Sequence, residues 1–146
     1  MAMSPDPAPS GSRWDRDALR AGAMVCLVFA IPFSLGARWA ADSRGDAALA
    51  TWLSVGAVCG FVLGAGCAAW VQRVDLPLSH ALVAALGTYV GAQAVFIAVR
   101  ILRSADVNWF AALFNLSVVT GAALVGGSLG RRLRSKGFLP SLTEGS

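Results

Sequence analysis

The chain has 146 residues, of which 56% are hydrophobic and only 14% charged. Water-soluble domains carry about 25% charged residues, so this balance excludes an ordinary soluble globular domain and indicates a membrane protein. The formal net charge of +4 comes with one dense basic cluster and no aromatic or groove-binding motif, which argues against nucleic acid as a partner.

The chain divides into two tails and one membrane domain. The N-terminal tail, residues 1–16, is rich in proline and serine over its first twelve positions, a composition that predicts disorder. Residues 17–136 form the domain, whose four apolar segments each have the ~20 residues needed to cross a bilayer as a helix. These predicted spans are 18–38, 47–71, 77–101 and 107–130. Residues 137–146 are predicted to be a flexible C-terminal tail.

Short loops and long helices together predict the architecture. Since the loops leave no room for a second core, we expect an all-α polytopic membrane protein. Its four transmembrane helices should form an antiparallel up-down bundle.

An aspartate stands just before each predicted span, at Asp17, Asp46, Asp75 and Asp106. At this position a carboxylate can accept hydrogen bonds from the unpaired N–H groups of the first helical turn, and its charge suits the positive end of the helix dipole. By topology two of the four lie on each side of the membrane, so they cannot form one catalytic or proton-carrying site. We therefore predict that they cap the helices.

Glycines in the second, third and fourth spans predict close helix packing. Residues four apart share one helix face, and small residues there let a second backbone approach closely. Two interpretations stay open: tight packing inside the monomer, or self-association through one of the stripes. The predicted packing positions are Gly56, Gly60, Gly64, Gly87, Gly91, Gly121, Gly126 and Gly130.

Three polar residues inside the spans form a candidate polar layer. Gln93 lies seven residues before Arg100, near the outer end of the third span. Asn115 lies seven residues after Asn108, so in an antiparallel pair both amides reach ~10 Å below the outer surface. Ser54 in the second span reaches a comparable depth. The layer is either purely structural or a shallow binding site open to the outer face.

The sequence offers little other chemistry. His80 lies near the start of the third span, where we expect a solvated polar residue, with a proton relay as the alternative. No acidic residue lies in a span interior, which counts against small proton-driven exporters, since they need a membrane-embedded carboxylate. No nucleophile–base pair, phosphate loop or metal motif is visible, so we expect no catalytic residue, no cofactor, no metal site and no enzyme activity.

Basic residues near the span ends predict the orientation. Eight lie on the side of the termini and four on the other side, so the positive-inside rule places both termini in the cytoplasm. Eleven of the twelve basic residues are arginine, which together with abundant alanine and glycine indicates a bacterial source and hence a bacterial plasma membrane. The dense cluster after the last span should anchor it against anionic lipids at the cytoplasmic face. Its members are Arg131, Arg132, Arg134 and Lys136.

The middle of the chain carries three small-residue patterns. The second span ends in GFVLGAGCAAWVQ, the third opens with PLSHALVAALGTYV and the fourth ends in LVGGSLGRRLRSK. With these patterns, residues 50–136 resemble the small four-helix membrane proteins of Gram-positive bacteria that have no assigned function. The resemblance implies a four-helix fold and no particular activity.

The sequence is compatible with two candidate functions. The first is a non-enzymatic membrane protein that acts as a small structural or accessory subunit, through helix packing against a second copy or a larger membrane protein. The alternative is a transporter or channel component for a small neutral or cationic solute, which would use the polar layer.

Overall fold

The computed structural model describes residues 14–138, so residues 1–13 and 139–146, and with them most of both predicted tails, lie outside the described residues. The described chain forms four α-helices, each long and apolar enough to cross a membrane. They are α1 (Arg16–Arg44), α2 (Ala47–Val71), α3 (Pro77–Leu102) and α4 (Trp109–Ser135). The predicted all-α fold with four membrane spans is therefore confirmed.

The predicted aspartate cap is right for α2, α1 is capped by a different aspartate, and the prediction is wrong for α3 and α4. Asp46 accepts a 2.9 Å hydrogen bond from the N–H of Leu49 in the first turn of α2. The first helix begins two residues before its predicted start, so its cap is Asp15 rather than Asp17. The Oδ1 atom of Asp15 accepts 3.1 Å hydrogen bonds from the N–H groups of Asp17 and Ala18.

The third and fourth helices begin without their predicted aspartate caps. Leu76 occupies the N-cap position of α3 and makes no side-chain hydrogen bond there, while Asp75 lies in the preceding loop with a φ of 53°. Asn108 caps α4 by accepting a 2.9 Å hydrogen bond from the N–H of Ala111, and Asp106 lies outside the helix. An uncapped helix start leaves first-turn N–H groups unpaired, and α3 has such a start.

Two helices extend beyond their predicted ends. The first helix continues from residue 38 to Arg44 and stops at Gly45, whose left-handed φ of 62° ends the helix. The fourth helix runs past residue 130 into the basic cluster and ends at Ser135. The predicted spans stopped where charges begin, because a membrane segment must be apolar. A helix can nevertheless project out of the bilayer with its charged side chains in water.

The helices alternate in direction and lie in the order α1, α2, α4, α3 around the bundle. The second helix contacts the other three, whereas α1 and α4 do not touch each other within residues 14–138. Val62 of α2 lies against Gly126 of α4, and Trp70 lies against Gly130, so these two helices run parallel. The α1–α2 and α3–α4 hairpins therefore lie side by side, and α2 makes most of the joining contacts.

Small side chains fill the interior of the bundle and large apolar side chains face outward. The fully buried positions are mostly alanines, including Ala30, Ala65, Ala69, Ala85 and Ala123. If these side chains faced water, the protein would lose the favourable free energy of burying them. Lipid tails are as apolar as leucine, so the side chains can face lipid without that loss. This inverted distribution is that of an integral membrane protein. The exposed side chains include Leu27, Val28, Trp52, Leu63, Val95, Phe110 and Phe114.

Candidate functional site

The structure divides the eight predicted packing glycines into two groups. At five of them, a Cβ atom would lie 2.9 Å or less from a neighbouring helix. A Cβ on Gly60, for example, would lie 2.8 Å from the backbone nitrogen of Ala30 in α1. The five are Gly56, Gly60, Gly64, Gly126 and Gly130. The other three, Gly87, Gly91 and Gly121, have no atom within 4 Å of such a Cβ.

Two further glycines pack closely within the described residues. A Cβ on Gly127 would lie 2.8 Å from the Cβ of Ala81, and Gly22 lacks the four-residue spacing that marks the predicted positions. A Cβ on Gly22 of α1 would lie 2.6 Å from the Cβ of Ala68 and 2.7 Å from the carbonyl oxygen of Gly64. Gly22 has no partner glycine one turn away, so sequence reasoning missed it. Together with Gly60 and Gly64 it lets the α1 and α2 backbones come into contact.

The three residues of the candidate polar layer are not joined by hydrogen bonds. Gln93 is half-buried, whereas Ser54 and Asn115 are exposed on the outside of the bundle. The Ser54 hydroxyl donates a 2.8 Å hydrogen bond to the carbonyl oxygen of Ala50, within its own helix. The structure therefore does not bring these polar groups together into a lined site.

A tyrosine makes the polar contact between α3 and α4 instead. The Tyr89 hydroxyl donates a 2.7 Å hydrogen bond to the carbonyl oxygen of Ala112 in α4. Its ring lies edge-on to that of Phe61 in α2, with the centroids 6.4 Å apart. Tyr89 thus links three helices. A lone tyrosine in an apolar span gives no sequence signal for such a role.

The densest set of polar contacts lies at the end of the bundle that holds residues 14 and 138, which we call the terminal end. Asp15 is central to it. Besides capping α1, its Oδ2 atom accepts a 3.0 Å hydrogen bond from the N–H of Arg73 in the α2–α3 loop. The backbone N–H of Asp15 donates a 3.0 Å hydrogen bond to Nε2 of His80 in α3. This one residue therefore ties the start of α1 to two other parts of the bundle.

The expectation that His80 is solvated is wrong, because the side chain is fully buried. Its Nδ1 lies 2.9 Å from the carbonyl oxygen of Leu76, and since a carbonyl can only accept, Nδ1 carries the proton. Nε2 is then free to accept from Asp15, so this pair of bonds requires a neutral imidazole. The chain before α1 covers the ring, with the Trp14 centroid 5.4 Å away. The position of His80 near a span end gave no indication that the chain before α1 covers its ring.

The Asp15 carboxyl has a lowered pKa. Partial burial acts to raise it, but hydrogen bonds from the N–H groups of Ala18, Arg73 and Asp17, together with the charge of Arg73, outweigh that effect. The charged form is therefore the one that holds the terminal end together.

We expect Asp15→Ala to lower the free energy of unfolding by about 1–2 kcal/mol, the usual cost of losing a helix cap. Asp17→Ala is the matched control, since it removes the same charge from an exposed neighbour whose side chain caps nothing. Unfolding in detergent, followed by tryptophan fluorescence, measures both. Equal losses from the two variants would show that Asp15 is not the cap.

The pH dependence of this difference follows from the lowered pKa. A carboxyl whose folded-state pKa lies below its unfolded value stabilises the protein above the unfolded value, about 4, and loses that effect as the pH falls through the folded value. The difference in the free energy of unfolding between the wild type and Asp15→Ala should therefore be complete at neutral pH. It should shrink as the pH falls below about 4. A gap that stays constant on acidification would contradict the assigned hydrogen bonds.

A second set of contacts joins the α2–α3 loop to the end of α4. Gln72 is only 1% exposed, and its Oε1 accepts hydrogen bonds from the N–H groups of Val74 at 2.9 Å and Leu76 at 3.3 Å. The Arg134 guanidinium donates to the backbone carbonyl of Gln72, and its Nη2 lies 3.5 Å from Oδ1 of Asp75. The side-chain nitrogen of Gln72 is buried and has no partner in the described chain.

The four members of the basic cluster at the end of α4 differ in their surroundings, and their lipid anchoring stays a prediction. Arg134 is half-buried and engaged with the α2–α3 loop, whereas Arg131, Arg132 and Lys136 are exposed. Sequence reasoning treated all four as equivalent lipid anchors. The structure sets Arg134 apart, because its guanidinium is held against the protein.

At the opposite end of the bundle, two guanidinium groups lie over one aromatic ring. The Cζ atom of Arg38 in α1 lies 3.7 Å from the Phe96 ring centroid, and that of Arg100 in α3 lies 5.7 Å from it. Such cation–π contacts stabilise a guanidinium near an apolar surface. The Nε of Arg100 is nevertheless buried without a hydrogen-bond partner in residues 14–138. The Arg100 guanidinium is therefore held partly against the protein.

Comparisons with protein-family models, curated proteins and solved structures found no match to this chain. The resemblance to small four-helix membrane proteins of Gram-positive bacteria stays a prediction. Within the described residues, no group of three or more His, Cys, Asp or Glu side chains is arranged to hold a metal ion.

Proposed function

We propose that this chain is a non-enzymatic integral membrane subunit that binds a transmembrane helix of another chain through the outward side of α3 and α4. The observation that carries this proposal is the open space at Gly87, Gly91 and Gly121. The predicted packing glycines of α2, in contrast, are already covered by α1 within the monomer.

Helix energetics support this assignment. Glycine in a helix interior costs about 0.5–1 kcal/mol relative to alanine, and in a membrane that cost is offset when another backbone packs closely on the glycine. Gly87 and Gly91 have no such neighbour within residues 14–138. The exposed positions on the same side of α3 continue with Ala94 and Ala98, at spacings of three and four residues. A second helix can therefore lie close along this side, which we call the small-residue face.

We propose the orientation of the chain in the membrane from the distribution of its basic residues between the two ends of the bundle. The terminal end holds seven of the described basic residues, and the opposite end holds Arg38, Arg44, Arg100 and Arg103. The positive-inside rule favours a cytoplasmic terminal end in a bacterial plasma membrane. The seven are Arg16, Arg20, Arg73, Arg131, Arg132, Arg134 and Lys136.

Neither catalysis nor transport has a specific observation in its favour. Both ring nitrogens of His80 are occupied by backbone groups, so they do not pair with a nucleophile. A transport site at the predicted polar layer would need inward polar groups, whereas Ser54 and Asn115 are exposed on the outside. Alanine and glycine fill the interior between the described helices.

Gly91→Leu tests the proposal directly. The leucine would fill the open space on the small-residue face, so we expect association to weaken about tenfold while the monomer folds normally. Energy transfer between labelled copies in lipid vesicles measures self-association. Crosslinking and mass spectrometry in native membranes, restricted to crosslinks that map to α3, measure binding to a different chain.

Cys59→Leu is the matched control, because Cys59 is an exposed small residue near the middle of α2. It places the same leucine side chain on the lipid-facing surface of a different helix. Association that is lost with Gly91→Leu and kept with Cys59→Leu supports the proposal. Equal effects of both variants, or no association with any chain through α3, would show that the proposal is wrong.

A further inference from the structure

A cavity of about 630 Å³ opens at the terminal end, between the start of α3 and the end of α4. The α2–α3 loop forms its third side. The residues that matter for its chemistry are Gln72, Asp75, Leu78, Ser79, Arg131 and Arg134. None of them took part in the proposed association through the small-residue face, so the cavity is a separate feature of the molecule.

The first turn of α3 supplies unpaired backbone donors to this cavity. The helix has no side-chain cap, and Pro77, its first residue, has no N–H. The N–H groups of Leu78 and Ser79 find no acceptor in the described chain. The positive end of the helix dipole lies at the same point, and such helix starts favour anions.

The buried side chain of Gln72 independently indicates a missing hydrogen-bond acceptor. Its Oε1 is occupied by two backbone N–H groups and its backbone carbonyl by Arg134, so only Nε2 remains. This nitrogen carries two N–H donors and has no partner, although the residue is 99% buried. A buried donor without an acceptor costs about 1–3 kcal/mol. Gln72 lines the cavity, so an acceptor atom there would remove that cost when the amide turns toward it.

Charge makes the cavity cationic overall. Arg131 and Arg134 line it from α4, and Asp75 is the one carboxylate in the lining. The Asp75 side chain is 94% exposed and lies 3.5 Å from Arg134, longer than a good charged hydrogen bond. Asp75 therefore competes weakly for Arg134, and most of its surface stays in water.

We propose that this cavity binds a phosphate group, with its oxygens accepting from the start of α3, from Nε2 of Gln72 and from the two arginines. Phosphate fits because it offers several acceptor oxygens to donors that converge from three elements. The group can belong to an anionic phospholipid headgroup or to a free phosphate. Leu76, Pro77 and Leu78 line the same cavity and suit the glycerol and upper acyl carbons of a lipid.

The experiment compares Arg131→Gln with Arg132→Gln. The two residues are adjacent, exposed and equally charged, but only Arg131 lines the cavity. Binding of phosphatidylglycerol to the full chain in detergent is measured by native mass spectrometry, with diacylglycerol as the lipid that lacks a phosphate and inorganic phosphate as the free ion. We expect Arg131→Gln to weaken binding about tenfold, the effect of removing one charged hydrogen bond, and Arg132→Gln to change it less than twofold.

Two further variants test the same site from other directions. Gln72→Glu keeps the oxygen that accepts from Val74 and Leu76 but replaces the free donor with a negative charge, so binding should fall at least tenfold. Asp75→Asn removes the competing carboxylate and should strengthen binding several-fold. Asparagine tolerates the left-handed φ at this position, so the loop should fold normally.

The result identifies the source of the phosphate group as well. Binding of phosphatidylglycerol that inorganic phosphate does not displace assigns the cavity to a lipid headgroup, and displacement assigns it to any phosphate. Equal losses in Arg131→Gln and Arg132→Gln would mean diffuse attraction by the basic cluster and would overturn the proposal. So would equal binding of phosphatidylglycerol and diacylglycerol with no binding of inorganic phosphate.

Discussion

Gly126→Ala is expected to destabilise the protein by about 3 kcal/mol, at the upper end of the cost of overpacking a core. The new methyl group would press against the carbonyl oxygen of Val62 and lie 3.0 Å from the backbone nitrogen of Gly66. Both are backbone atoms of α2, so no side chain can rotate away and the two helices must separate. Unfolding by sodium dodecyl sulfate in mixed micelles, followed by tryptophan fluorescence, measures the loss.

The control for this variant is Gly121→Ala on the same helix. Nothing lies within 4 Å of the added methyl group, so only the backbone entropy of glycine changes. The variant should be as stable as the wild type or up to about 1 kcal/mol more stable. If Gly126→Ala were equally harmless, the close contact between α2 and α4 would be wrong.

His80→Phe is expected to lower the free energy of unfolding by a comparable amount, about 3 kcal/mol. Phenylalanine fills a similar volume but neither accepts from the N–H of Asp15 nor donates to the carbonyl of Leu76. The N–H of Asp15 would then lack its partner beside a fully buried side chain, while the carbonyl of Leu76 would keep only the backbone N–H of residue 80. The same unfolding measurement in detergent applies.

His80→Gln separates hydrogen bonding from packing at this position. The glutamine amide offers both a donor and an acceptor. His80→Gln should therefore recover part of the free energy of unfolding that is lost in His80→Phe. Wild-type stability in His80→Phe would mean that the imidazole does not hold α1 against α3. A loss in His80→Gln as large as that in His80→Phe would mean that shape, not hydrogen bonding, controls the position.

The cap assignments show which helix starts local sequence can predict. Asp46 was predicted correctly because α2 begins where its apolar run begins, so the carboxylate lies directly at the helix start. For α1 the helix starts before the apolar run, with Arg16 and Asp17 already helical, and the cap moves back to Asp15. Apolar content marks what the bilayer covers. Hydrogen bonding decides where the helix itself begins.

The candidate sites, in contrast, depend on contacts that local sequence does not predict. Gln93 and Asn115 were grouped by depth alone, since counting residues along a helix gives height but not rotation about the axis. The structure leaves Asn115 exposed on the outside of the bundle, and a tyrosine makes the polar contact between α3 and α4. The terminal-end network joins Asp15 to His80 and Arg73 across distant parts of the chain. No local pattern could have paired them.

The sequence by itself determined the membrane location, the number of helices and their alternating direction, because span length and loop length follow directly from residue type and spacing. Only the tertiary structure decided the order of the helices, the burial of His80, the cavity beside Gln72 and which glycines face inward. The physical reason is the solvent. Lipid and the protein interior are both apolar, so hydrophobic periodicity does not mark the inward face of a membrane helix as it does in water. Packing of small residues against a particular neighbour sets that face instead.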